Sequence, residues 1–183
     1  RKTQNLTQED IKTTIYIDDA GYGDLLHGAV IGAYRPETDE FVYDMVHVKF
    51  FQAPRFTKKG YQREAGKISV KLVQRLKPVK KETIEICRGD INDKGAESLA
   101  LKYGEELVKR VKVEGRAQDL VENAYLDEIR NLGYEPIPER MEKWGKSFWH
   151  MFRWVSKNRK MLKYTKSGWP RLQRYKLFQT KKK

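Results

Sequence analysis

Three β-rich runs crowd into residues 13–51, and the loops between them are short. Strands this close in sequence pair as antiparallel neighbours, because a parallel return needs a crossover of about a dozen residues or more. The first run, Thr13–Asp19, alternates β-branched residues and ends in two acids. The second is His27–Tyr34 and the third is Phe41–Phe51, joined by the turn-forming segment Arg35-Pro36-Glu37-Thr38-Asp39-Glu40. The chain therefore opens as an antiparallel meander.

The periodicity then changes. Tyr61, Ala65, Ile68, Leu72 and Leu76 fall at helical spacing within Lys58–Lys77, and Pro78 stops the run. Thr83–Cys87 is a short apolar strand. Asn92 or Asp93 can cap a second helix whose stripe is Ala96, Leu99, Tyr103 and Leu107. Val108–Val113 reads as a strand and Arg116–Leu132 as a third helix, with Gly133 where a C-terminal cap belongs. The order is β-β-β-α-β-α-β-α, an α/β class. Pro136 and Pro138 mark a break, and Glu139–Arg159 reads as a basic helix with Met141, Trp144, Phe148, Met151, Phe152 and Val155 on one stripe. Ser167-Gly168-Trp169-Pro170 is a turn, and no structure is forced on Thr180–Lys183. The expected organisation is a leader at 1–12, a domain at 13–135 and a basic aromatic extension at 136–183.

Charge follows that division. The chain has 38 Lys and Arg against 25 Asp and Glu, a net of +13. Residues 139–183 hold 15 of the bases and two of the acids, so residues 1–138 are neutral and the whole excess sits in the last quarter. All four Trp lie there as well: Trp144, Trp149, Trp154 and Trp169. Cations interleaved with flat aromatics suit a polyanion, since Lys and Arg neutralise phosphates and rings stack on unpaired bases. The expected contacts are Lys143, Lys146, Arg153, Lys157, Arg159, Lys160, Arg171 and Arg174, with Tyr22 from the glycine loop. A solvated helix with its aromatics on the core is the plainer alternative, and an anionic membrane surface is a lesser one.

Other classes fall away. At 39% hydrophobic the chain can bury a core, and its 13 Gly and 6 Pro are too few for collagen-like sequence. The single cysteine, Cys87, gives no intrachain disulfide and no Cys-based zinc site, reads as a small buried hydrophobe, and fits a reducing, cytoplasmic compartment. No apolar run reaches the roughly 18–20 residues of a membrane span, and Arg1–Lys12 has no apolar segment of the secretory kind. His27, His47 and His150 share no ligand spacing. Gly21-Tyr22-Gly23 lacks the pattern of a dinucleotide loop.

The order β-β-β-α-β-α-β-α is that of the ribonuclease H-like fold, and local motifs carry the resemblance further. Asp18-Asp19-Ala20-Gly21-Tyr22-Gly23, followed by Gly28 and an apolar strand, resembles the first-strand motif Asp-Glu-Ala-Gly-Arg-Gly of type 2 ribonucleases H. Asp18 matches the first catalytic acid. Asp19 replaces Glu, and Tyr22 replaces the Arg of the loop that senses an RNA–DNA junction. Ile84-Glu85-Ile86, then Ser98-Leu99-Ala100-Leu101-Lys102-Tyr103-Gly104, resembles RuvC-type Holliday junction resolvases, where a Glu on the fourth strand precedes such a helix. Ala117-Gln118-Asp119-Leu120-Val121-Glu122-Asn123-Ala124 resembles the start of that family's last helix, with two acids three residues apart.

The resemblance spans residues 14–133 and leaves the basic extension unmatched. It implies a mixed sheet and a nuclease dependent on Mg²⁺ or Mn²⁺ that acts on structured nucleic acid, with resolvases working as homodimers. Asp18, Glu85, Asp119 and Glu122 would be catalytic. Asp19 and Asp90 would join them as metal ligands, Asp90 being the rival to Glu85 as the fourth-strand acid. Carboxylates converging on hard cations are what two-metal phosphodiester cleavage needs. Each acid also has a structural use: Asp18 and Asp19 as loop acids, Asp93 as a cap, Asp119 and Glu122 as a solvated helix face. The rival functions are a non-catalytic nucleic-acid clamp of the same fold, a ribosome- or membrane-bound structural protein, and a sugar-kinase-type phosphotransferase. One domain copy argues against the last.

Overall fold

The structure, a computed structural model, describes residues 12–140, 142–143 and 145–179. The leader at 1–11, Met141 and Trp144 of the expected stripe, and the end from Thr180 lie outside the described residues. The elements are β1 (Thr14–Ala20), β2 (Ala29–Arg35), β3 (Glu40–Val46), α1 (Gly60–Leu76), β4 (Thr83–Cys87), α2 (Asp93–Tyr103), β5 (Val108–Val111), α3 (Arg116–Asn131) and α4 (Lys146–Lys157). Short 3-10 turns fill Arg159–Tyr164, Pro170–Arg174 and Lys176–Phe178.

The five strands form one mixed sheet in the order β3-β2-β1-β4-β5. β1 is central. It pairs antiparallel with β2, Asp18 opposite Gly32, and parallel with β4, Ile17 opposite Ile86. β2 is buried along its whole length, as a strand covered on both faces must be. On one face Ile15, Ile17 and Ile31 meet Ala65, Ile68 and Leu72 of α1 and Leu99 of α2. On the other, Ala20 and Val30 meet Val121, Ala124 and Tyr125 of α3. The result is three layers with the sheet in the middle.

The extension shares the second core. Phe148, Met151 and Val155 of α4 and Leu172 are buried in the same cluster as Val121 and Tyr125. Residues 164–166 add backbone bonds, Lys166 N–H to the Leu25 carbonyl and His27 N–H to the Tyr164 carbonyl. Lys166 is fully buried, its ammonium nitrogen 3.2 Å from the Leu26 carbonyl, and burial holds its pKa well below the ordinary lysine value.

Several boundaries differ from the sequence reading. The third strand ends at Val46 and not at Phe51, because His47 Nδ1 accepts the Lys49 N–H and starts a 3-10 turn that carries Phe51 into the core. The second helix ends at Tyr103, before Leu107, where Gly104 adopts φ +106°. β5 ends at Val111, two residues early. The basic helix starts at Lys146 and not at Glu139, because Gly145 takes φ +82°, which a right-handed helix cannot include. No helix among the described residues is long and apolar enough to cross a membrane.

Candidate functional site

β1 leads an acidic pair to the end of the sheet. Successive side chains on a strand point to opposite faces. Asp18 thus lies on the α3 face with Tyr16 and Ala20, and Asp19 on the α1 face with Ile15 and Ile17. The chain then turns at Gly21, whose φ is +85° and where an added Cβ would stand 2.2 Å from the Tyr125 ring. At Gly28 the approach is closer still: a Cβ would lie 1.6 Å from the Val46 carbonyl oxygen. These two glycines let the 21–28 loop fold back over the sheet end.

The parallel register places Cys87 beside Asp18, one residue beyond the Ile17–Ile86 pair. One ligand atom from each of Asp18, Asp19 and Cys87 lies within 4.8 Å of the others. Burial raises the pKa of Asp18, against hydrogen bonds from the Asp19 backbone and the Cys87 thiol. Asp19 is pushed up to about 7, first by burial and then by the charge of Asp18. An amide hydrogen bond from Asn92 at 2.8 Å works the other way. Burial also raises Cys87, which keeps it a thiol. Among the described residues neither Asp18 nor Asp19 has an ion-pair partner.

The other expected acids distribute unevenly. Glu85 sits opposite Tyr16, whose pKa it helps raise, so it stands one side-chain repeat, about 7 Å, back from Asp18 along the strand. Asp90 is nearer the pair: its charge is among those that raise Asp19, and its Oδ2 accepts from Tyr61 Oη at 2.8 Å and from Tyr22 Oη and Gln62 Nε2 at 3.3 Å. Tyr22, expected at a nucleic acid, packs its ring on Phe51 and Tyr61 while also lining the cleft described below. Asp119 is exposed on the first turn of α3. Glu122, one turn on, faces the acids. Burial and then the charges of Asp18, Asp19 and Asp119 push it up to about 7.

Arg140 answers that push. Its Nη2 donates to Glu122 Oε2 at 3.0 Å, and its Nη1 donates to Asp24 and, at 3.3 Å, to the Ser147 hydroxyl. The guanidinium also lies 4.9 Å from the centre of the Tyr125 ring. A guanidinium stays charged in proteins, and such charge-assisted bonds favour the ionised carboxylate. The extension therefore supplies a counter-ion for two acids of the domain.

A cleft of about 500 Å³ opens between the 21–24 loop and the extension. Asp19 and Glu122 reach it from the domain side and Arg140, Lys143, Trp149, Arg171, Arg174 and Tyr175 from the extension. Lys143, Arg171 and Arg174, expected to hold a phosphate backbone away from the acids, line the same cleft as Asp19 and Glu122. Lys146, Arg153, Lys157, Arg159 and Lys160 are exposed and line none of it. His27 is pulled down to about 4, first by burial and then by the Lys166 and His47 charges.

Tyr175, Cys87, Asp24 and Arg140 of the site escaped sequence reasoning. Cys87 is level with Asp18 only through the strand register. Asp24 and Arg140 meet across 116 residues with no local pattern to join them. No protein-family model, curated protein or solved structure matches the chain.

Proposed function

We propose that the chain is a ribonuclease H-like nuclease that cleaves phosphodiester bonds with a divalent cation. The sheet order, the acids at the end of the central strand and the acid on the last helix of the domain all support this reading. The observation that carries it is the Asp18–Asp19 pair: two carboxylates, one buried and one half-buried, close together and with no ion-pair partner among the described residues. Like charges so placed either take up protons or hold a metal.

The donor chemistry suits a hard ion. Carboxylate oxygens favour Mg²⁺ or Mn²⁺, while the Cys87 sulfur, kept as a thiol, is a poor ligand for either. The residues that would hold the ion are Asp18 and Asp19, with Asp90 or Glu122 completing the set. A bound divalent ion supplies Lewis acidity and an activated water. Asp18 and Asp19 would fix the position of that ion at the sheet end. Asn92 orients Asp19, and Arg140 holds Glu122 in place. Cations of the extension neutralise the flanking phosphates.

The test is cleavage of labelled junctions, RNA–DNA hybrids and flaps with Mg²⁺ or Mn²⁺ and with EDTA. Metal-dependent cleavage that Asp18→Asn abolishes supports the reading. Absence of cleavage on every substrate at every metal concentration defeats it. A second reading, a non-catalytic nucleic-acid clamp, draws on two observations: Glu122 is already engaged by Arg140, and Cys87 stands where an acid would face Asp18. A clamp loses affinity with salt and is indifferent to divalent metal.

A further inference from the structure

The cleft beside the acids combines two recognition elements that occur together on few ligands. Its extension wall carries the cations Lys143, Arg171 and Arg174, none of which forms an ion pair among the described residues. The same wall carries Trp149, 41% exposed although it is a large apolar side chain. That ring is not loose. Edge-on contacts to Phe148 at 5.2 Å and Tyr175 at 5.5 Å brace it. Arg171 is braced as well, its guanidinium 5.7 Å from the centre of Phe148 and 5.3 Å from that of Trp169. Fixed aromatics and fixed cations facing one space are a preorganised site, which lowers the ordering cost of binding.

The volume, about 500 Å³, is that of a pocket for one small-molecule-sized group. The cations ask for an anion and the aromatics for a flat ring. A base pair within a duplex offers phosphates but keeps its ring faces stacked inside the helix. An unpaired nucleotide offers both at once. Asp24 and Glu122, which would repel phosphate, are both paired with Arg140, whose single charge offsets part of theirs. Asp19 also lines the cleft, so a strand seated there passes that acid.

We infer that the cleft seats one unpaired nucleotide of a single strand, its base against Trp149 and Tyr175 and its phosphates toward Lys143, Arg171 and Arg174. This deepens the nuclease reading by naming the state of the strand at the cut, and rests on that reading only for what happens after binding.

The experiment measures binding by the full chain in EDTA, using fluorescence anisotropy of a labelled oligothymidylate and of a duplex of equal length. The single strand should bind more tightly than the duplex. Trp149→Ala should weaken single-strand binding by about tenfold and leave duplex binding nearly unchanged. Trp149→Phe should restore most of it, and Arg174→Ala should weaken it where Lys157→Ala, outside the cleft, does so less. Circular dichroism establishes that each variant is folded. Equal affinity of folded Trp149→Ala and the parent for the single strand would overturn the inference, as would duplex binding equal to single-strand binding. Because no metal is present, the outcome is separate from cleavage. Trp149-dependent binding without metal-dependent cleavage upholds this site and sinks the nuclease. Cleavage without Trp149-dependent binding does the reverse.

Discussion

Two pairs of acids lie at one end of the sheet, and among the described residues only one pair has a cationic partner. Asp24 and Glu122 share the guanidinium of Arg140, brought in by the extension. Asp18 and Asp19, a few residues away on β1, share only each other, a thiol and an amide. The far end of the sheet resembles the first pair: Arg35 grips buried Glu82 through Nε at 2.6 Å and Nη2 at 2.9 Å. Buried Glu82 and Asp24 are thus each paired with a guanidinium, and buried Asp18 has no such partner among the described residues. A metal at the Asp18–Asp19 end is proposed because that pair has no such partner among the described residues.

The largest effect is expected at Asp18. Asp18→Asn should reduce metal-dependent cleavage by at least about a hundredfold in single-turnover assays. Undiminished cleavage would mean the unpaired acids are not the reacting centre. Next in size is Arg140→Ala, which strands Asp24 and Glu122 without their cation. The expected loss is about 3 kcal/mol, roughly 6–12 °C in Tm by calorimetry. Adding Glu122→Gln should recover part of it, because the uncompensated charge is removed.

Asp19 should behave in the opposite sense. Its carboxyl titrates at about 7 in the fold, above its unfolded value near 4. The contribution of Asp19 to stability is therefore full below about pH 4 and lost as pH rises through 7. Asp19→Asn, which can still accept from Asn92, should stabilise the protein by about 1–2 kcal/mol at pH 8. The gain should vanish near pH 4, as paired thermal melts would show. Smallest of all is Lys146→Ala. Lys146 and Glu139 are both 45% exposed and 3.8 Å apart, so stability should change by less than about 0.5 kcal/mol. If Lys146 touches phosphate, the salt dependence of nucleic-acid binding should fall by about one ion.

The parts of this arrangement legible in the sequence are the local ones. Thr83–Cys87 reads at its observed bounds because polar residues bracket a short apolar run. Asp18 and Asp19 announce themselves as acids that close an apolar strand. The end of β3 is hidden because Val48, Phe50 and Phe51 continue its apolar character through a 3-10 turn. The start of α4 is hidden because the apolar stripe runs on through Gly145. Glu85 and Cys87 differ by one side-chain repeat, and which of them faces Asp18 depends on a parallel register that residue spacing does not fix. Arg140 counts in the sequence as one more basic residue, and only the docking of the extension turns it into the partner of Asp24 and Glu122.

The most direct measurement is calorimetric titration of Mn²⁺ into the full chain at pH 7, beside the Asp18→Asn/Asp19→Asn double variant. The unpaired acids predict Mn²⁺ binding by the parent with proton release, since Asp19 is partly protonated there. The double variant, folded and at least as heat-stable, should show neither. Equal binding by both proteins, or none by the parent, would contradict the account.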